Sequence, residues 1–370
     1  EYAVSLLTTS ARPLPWRTRE TLGSLLQEMP APPFLDEEVQ NLFRSYGAPE
    51  EFLRSRWLRL STGVARQHPV LLVEAARYLH SLDWSTTDDV LDGLLLGRFA
   101  RTLDMRTTED IQRTVPDPAT RDLLYRVRLI GSPFVLEQVG EVSAVSPSIS
   151  SPFERLADLL GLWIQQDSAS EYIVCPLVAC LDENNLSIEL RQKVHHAIAL
   201  VIMARVLRKH TFWPEEALQA IVHFTSAAQF DEAAKVLVLA LHGIMQQGSA
   251  ADHFLVSSIW VDMPLPDAID HETKIYIRAM QIVVQHRQER DVSELLDDLD
   301  RLLAVPGSPE SRVARAGMST LVATEFVPEQ PDTALRYLRH GFRTAEALDI
   351  SCSRGGEAAW LDGLLNIFWI

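Results

Sequence analysis

Four short stretches hold residue types able to do chemistry, and their spacing limits what each could do. GLLLGRF, from Gly93, offers glycines and a cation, but a phosphate cradle needs G-x-x-x-x-G-K-[ST]. Here the glycines stand too close and Arg98 replaces the lysine. HETKI, from His271, begins like a zinc-protease helix and lacks the second histidine. AGMST, around Ser319, lacks the second glycine of a nucleophile elbow. VHHAIA sets His195 beside His196, two imidazoles able to donate a hydrogen bond to an anion. On periodicity alone, adjacent histidines in an apolar helix also fit a partly buried core or surface position. Cys175, Cys180 and Cys352 cannot all pair, and no further Cys or His stands at metal-ligand spacing near the first two. A reduced, intracellular protein without self-contained catalysis is the expectation.

Composition frames what could carry such residues. The chain has 370 residues, of which 47% are hydrophobic and 23% charged, enough for two or three domains with cores of their own. A net charge of -16 opposes a nucleic-acid phosphate backbone as the main partner. Arg98, Arg101, Arg106, Arg113, Arg121, Arg126 and Arg128 could form a basic DNA-reading face. They are interleaved with Asp104, Glu109, Asp110, Asp117 and Asp122, which favours a solvated amphipathic surface. No apolar run approaches the roughly 20 residues of a membrane span. A cytoplasmic protein with no membrane partner is expected.

The elements follow from periodicity and caps. Val4–Thr9 reads as a buried strand that breaks at Ser10–Pro13. Asp36 can cap a helix stopped by Gly47, a second helix covers about 50–64, and a third starts at Pro69, a favoured first-turn residue. From Asp83 come VLDGLLLGRFARTL and then two short helices separated by VPDP, with Leu123, Leu124, Val127 and Leu129 as the core face. Ser151 and Glu154 spell a capping box. EYIVCPLVACL is a strand leading into a helix, or a helix throughout. LSIELRQKVHHAIALVIMARVL is strongly helical, and from about Arg208 helices succeed one another. AAQFDEAAKVLVLAL and PEQPDTALRYLRHGF match in phase, and Asp231 lies 101 residues before Asp332, close to three repeats of about 34.

In order, these features resemble the STAND class of signal-transducing P-loop NTPases, of NB-ARC type. The carriers are TTS followed by arginine, HPVLLVEAARYL, LLYRVRLIGSPF, LLGLWIQQ, VHHAIA and the closing repeats. The resemblance implies a mainly α fold: a residual P-loop strand and helical lid over 1–82, a winged-helix-like domain over 83–205, and a tetratricopeptide-like α-solenoid over 206–370. It implies that the opening strand is the last of a nucleotide domain whose phosphate-binding motifs lie before Glu1. The apolar end WLDGLLNIFWI likewise reads as a cut.

The site residues come from the same resemblance. Arg12 stands one residue beyond the expected phosphate-sensing arginine, with Ala11 in the family's position. A guanidinium at a strand end can donate bidentate hydrogen bonds to phosphate. Pro69 matches the lid proline near the adenine, with Gln67 in place of glycine. His195 matches the histidine that touches the ADP phosphates, while His196 replaces the aspartate. ATP and ADP are expected as ligands of an intact parent, with none bound tightly by this chain, since triphosphate affinity comes mostly from the cradle. A protein or peptide ligand on the repeats and oligomerisation of the parent complete the picture of a nucleotide-dependent switch. The competing reading is a helical-repeat scaffold without nucleotide chemistry.

Overall fold

Helix α1, Asp36–Ser45, includes Asp36 as its first residue, so the aspartate is not the cap. Instead the Glu38 carboxylate reaches back to accept from the Leu35 backbone N–H at 2.8 Å. The computed structural model describes residues 34–346 except 96–97, 132, 169, 180, 182–184, 210–213, 248–253 and 309–310. The strand expected over 4–9 lies outside the described residues. The chain is mainly helical with one small sheet, and it divides into two compact units, one ending at Val194 and the other starting at His195.

In the first unit the helix expected over 50–64 is two helices, α2 Glu50–Arg54 and α3 Arg56–Val64. Ser55 breaks the run in extended conformation and caps α3, its hydroxyl accepting from the Trp57 N–H at 3.1 Å. Helix α4, Pro69–Ser81, starts at the expected proline and buries Leu71, Leu72, Ala75, Ala76 and Leu79. Against it pack Val39, Phe43, Phe52 and Trp84, the Phe52 and Trp84 rings meeting edge-on at 5.1 Å. Helix α5, Asp88–Leu95, follows, and a short 3₁₀ turn at Arg98–Ala100 leads into α6, Arg101–Thr114.

The rest of this unit runs helix, strand, helix, helix, strand, strand. Helix α7, Pro118–Ile130, has Asp117 as its cap, accepting from the Thr120 N–H at 2.8 Å. Then come β1 Phe134–Val135, α8 Leu136–Ala144, α9 Pro152–Leu159, β2 Ile164–Gln166 and β3 Glu171–Val174. The sheet is antiparallel with order β1-β3-β2, and β3 ends before the short helix α10, Pro176–Ala179. Arg126 of α7 lies fully buried. It donates to the carbonyls of Val142, Val145 and Pro147 and to Asp122, all within 2.7–2.9 Å. One planar guanidinium thus fixes the connection between α8 and α9. The capping box expected at Ser151 does not form: Ser151 is left-handed, with φ 48°, and its side chain caps nothing.

The second unit begins inside α11, Ile188–Lys209, and continues through α12 Pro214–Ser226, α13 Phe230–Gln247, α14 Phe254–Ser257, α15 His271–Arg287, α16 Ser293–Ala304, α17 Ser311–Phe326 and α18 Pro331–Glu346. Helix α15 packs on α13, α16 and α17, which is why it is buried almost all round from Ile275 to Gln285. Three polar residues on it satisfy the preceding turn. Arg278 donates to the Trp260 and Met263 carbonyls, to Gln281 and to Asp298, while Gln281 and Gln285 donate to carbonyls at Ile259 and Ser257. Helices α11, α13, α15 and α17 start at residues 188, 230, 271 and 311. That cadence of about forty residues exceeds the expected 34. Asp231 opens α13 and Asp332 opens α18, the second helix of its pair, so the two are not equivalent positions.

Candidate functional site

Of the three residues singled out from the sequence, Arg12 lies outside the described residues. Pro69 occupies the exposed first turn of α4. His195 sits on α11, half-buried, with its Nδ1 2.8 Å from Nδ1 of His223 on α12. The rings are 5.1 Å apart, and one nitrogen must carry the proton that the other accepts. His196 turns its ring edge to Phe224 at 5.9 Å, with Nδ1 buried and without a hydrogen-bond partner. Arg205 and Glu216 continue the same antiparallel contact of α11 with α12 at 3.7 Å. His223 was not singled out in the sequence, because nothing in its apolar helix marks it as a partner 28 residues away from His195.

Two clefts flank other candidates. A groove of about 510 Å³ among α1, α2 and α3 has Arg54, Arg59, Thr62 and Gln67 over a floor of Leu53 and Leu58. Its two guanidiniums share the lining with the Asp36 carboxylate, and Gln67 stands two residues before Pro69. A second cleft of about 300 Å³ in the other unit is lined by Asp262, Met263, Glu294, Leu295 and Asp298, with Arg278 among its walls.

The motifs set aside on spacing have structural employment. Gly93 is where α5 meets Tyr78 of α4: a Cβ there would collide with the phenol. His271 lies 2.9 Å from the Leu302 carbonyl, and Glu272 pairs with the buried Arg315 of α17. Ser319 does meet a histidine, its hydroxyl 2.9 Å from His340 Nδ1. A serine–histidine pair can be a nucleophile and its base, but Ser319 is wholly inaccessible to solvent, so the pair acts as a clasp between α17 and α18. Burial, followed by the Arg315 charge, pushes the His340 imidazole below its ordinary range, against the opposing pull of Asp300. Cys175 is a free thiol pushed up by burial, which keeps it protonated and slow to react. No group of three or more His, Cys, Asp or Glu among the described residues could hold a metal ion.

Three of the seven arginines considered for DNA reading have partners within the chain. Arg126 is buried on carbonyls, and Arg121 donates to the carbonyls of Val115 and Pro116 at 2.9 Å. Arg113 lies 3.6 Å from Asp110. No helix among the described residues is long and apolar enough to cross a membrane. Comparison with known protein families, with curated proteins and with solved structures finds no match for this chain.

Proposed function

We propose that the chain is the regulatory arm of a nucleotide-dependent signalling switch of the STAND, NB-ARC kind: a helical lid, a winged-helix module and a helical-repeat sensor. The observation that carries this reading is the order of elements. A helical group closed by the Pro69 helix precedes helix–strand–helix–helix–strand–strand with sheet order β1-β3-β2, and helical pairs follow. That sequence of elements, with its antiparallel three-stranded sheet, supports a winged helix in the middle position. In this reading His195 contacts the phosphates of ADP and holds the resting state, and its pairing with His223 fixes the ring's orientation. Ligand binding to the repeats shifts the population away from that state. In this reading ATP and ADP are the ligands of an intact parent, and activation proceeds through oligomerisation.

The test begins with the coding sequence ahead of Glu1. A G-x-x-x-x-G-K-[ST] motif about one domain length upstream, roughly 100–150 residues, supports the reading, and its absence overturns it. In the longer product, ADP should remain bound through gel filtration and be lost on His195→Ala. Unchanged retention removes the latch.

The second reading, a scaffold that docks a protein or peptide without nucleotide chemistry, draws on the cleft beside α16. Met263 is 56% exposed at its rim, next to the carboxylates of Asp262 and Glu294. Met263→Asp abolishing ligand capture by a parent that binds no nucleotide would favour it.

A further inference from the structure

We propose that the α8–α9 face of the first unit is a docking surface for a lysine- or arginine-rich amphipathic helix of a partner protein. The sequence sets up the charge. Between Arg128 and Arg191 there is a single basic residue, Arg155, against nine acidic ones. Arg155 is spent internally: its guanidinium donates to the Ser150 carbonyl at 2.7 Å and to Thr120 at 3.1 Å, and it pairs with Asp117. A helix–turn–helix face that read nucleic acid would need cations for the phosphates. This one has none to offer.

What the face does offer is an aromatic anchor inside an acidic frame. Phe153 is 53% exposed although it is the second residue of α9, and its ring edge lies 3.7 Å from where a Cβ on Gly140 of α8 would stand. The missing side chain at Gly140 gives the ring its seat and brings the two helices' outer faces together. On α8, Leu136, which is 41% exposed, stands four residues before Gly140 on the same face, and Glu141 is exposed next to Gly140. On α9, Ala157 stands four residues after Phe153, and Glu154 and Asp158, i+4 to each other, are exposed on the adjoining side of the helix. Three exposed carboxylates, Glu141, Glu154 and Asp158, on the same two helices as two exposed apolar side chains are complementary to a helix with apolar residues on one stripe and cations on its flanks. An aromatic centre with a charged rim is the usual layout of a protein interface. The surface is independent of the nucleotide reading, since none of its residues belongs to the lid or latch.

The experiment uses the full chain and three probes: a leucine-patterned helical peptide bearing lysines, the same pattern bearing glutamates, and a duplex DNA. Fluorescence anisotropy at low and physiological salt should show binding of the lysine peptide alone, weakening with salt. Phe153→Ala and the pair Glu154→Lys, Asp158→Lys should each weaken it about tenfold or more, a hot-spot loss. The milder Glu154→Gln, Asp158→Gln pair should weaken it to a lesser degree. All variants should stay folded, with the thermal midpoint lowered by at most a few degrees, because these side chains are exposed and Glu154 lies in the first turn of α9. Reversal of two acids elsewhere, Glu37→Lys and Glu51→Lys, should leave affinity unchanged, and bound peptide should slow amide exchange over 136–144 and 152–159. The proposal is overturned if the Phe153 and charge variants bind as the parent does, or if the control reversal weakens binding equally, which would mean unspecific attraction to an acidic chain. Binding of the DNA at this face, or a dimer lost on Phe153→Ala, would assign the surface to a different occupant and also overturn it.

Discussion

The side chain with the most structural responsibility in the second unit is Arg278. It is 2% exposed and satisfies two carbonyls of the turn before α15 as well as Asp298 and Gln281. Replacing it with methionine fills a similar volume but strands those acceptors, and about 3 kcal/mol of stability should be lost in urea unfolding. The turn at 257–263 should exchange its amides faster. Histidines set the pH response. Burial holds His68 and His340 below the ordinary value of 6.5. The unfolded chain therefore binds more protons than the folded one just below that pH, so stability is complete above it and falls as pH drops toward the depressed folded values. Thermal midpoints should decline between about pH 7 and pH 5, and His340→Gln should reduce the slope. None of this was legible in the sequence, because a buried cation or a depressed imidazole is defined by carbonyls and neighbours distant along the chain. His195 was legible as a residue of interest, but His223 was not.

At the level of elements, local signals worked where they were self-contained. Pro69 starts α4 and Asp117 with Pro118 starts α7, since caps act within one turn. The run over 50–64 reads as one helix because its apolar periodicity continues across Ser55, and only the backbone turn there reveals the break. At Ser151 the hydroxyl and glutamate have the right spacing, yet the left-handed backbone turns the side chain away from the helix end. Asp270 caps α15 by accepting from the N–H groups of Glu272 and Thr273 at 3.0 Å, so Asp270→Ala should cost about 1 kcal/mol, read from the denaturant midpoint. Gly93 stands where α5 crosses Tyr78, and Gly93→Ala should destabilise the chain by about 1–3 kcal/mol through overpacking, with Tyr78→Phe in the same chain recovering part of the loss.

For the molecule as a whole, the two units each bury their own apolar cluster, one around Phe43, Leu72 and Trp84 and one around Ile282, Leu299 and Phe326. Arg126→Met and Arg278→Met share no hydrogen-bond partner, so their stability losses should add within about 0.5 kcal/mol, with exchange accelerated in each variant's own unit. Helical content and the succession of helical pairs were legible from hydrophobic periodicity. The spacing of those helices was not, because Asp231 and Asp332 share a local motif while opening different members of a helical pair. Helix starts spaced about forty residues apart set the length that an internal duplication would copy. Copying residues 271–310, from the start of α15 to the residue before α17, would hand the next block the same kind of neighbour that α17 now has, so recombination could lengthen this unit by one period without redesigning that contact.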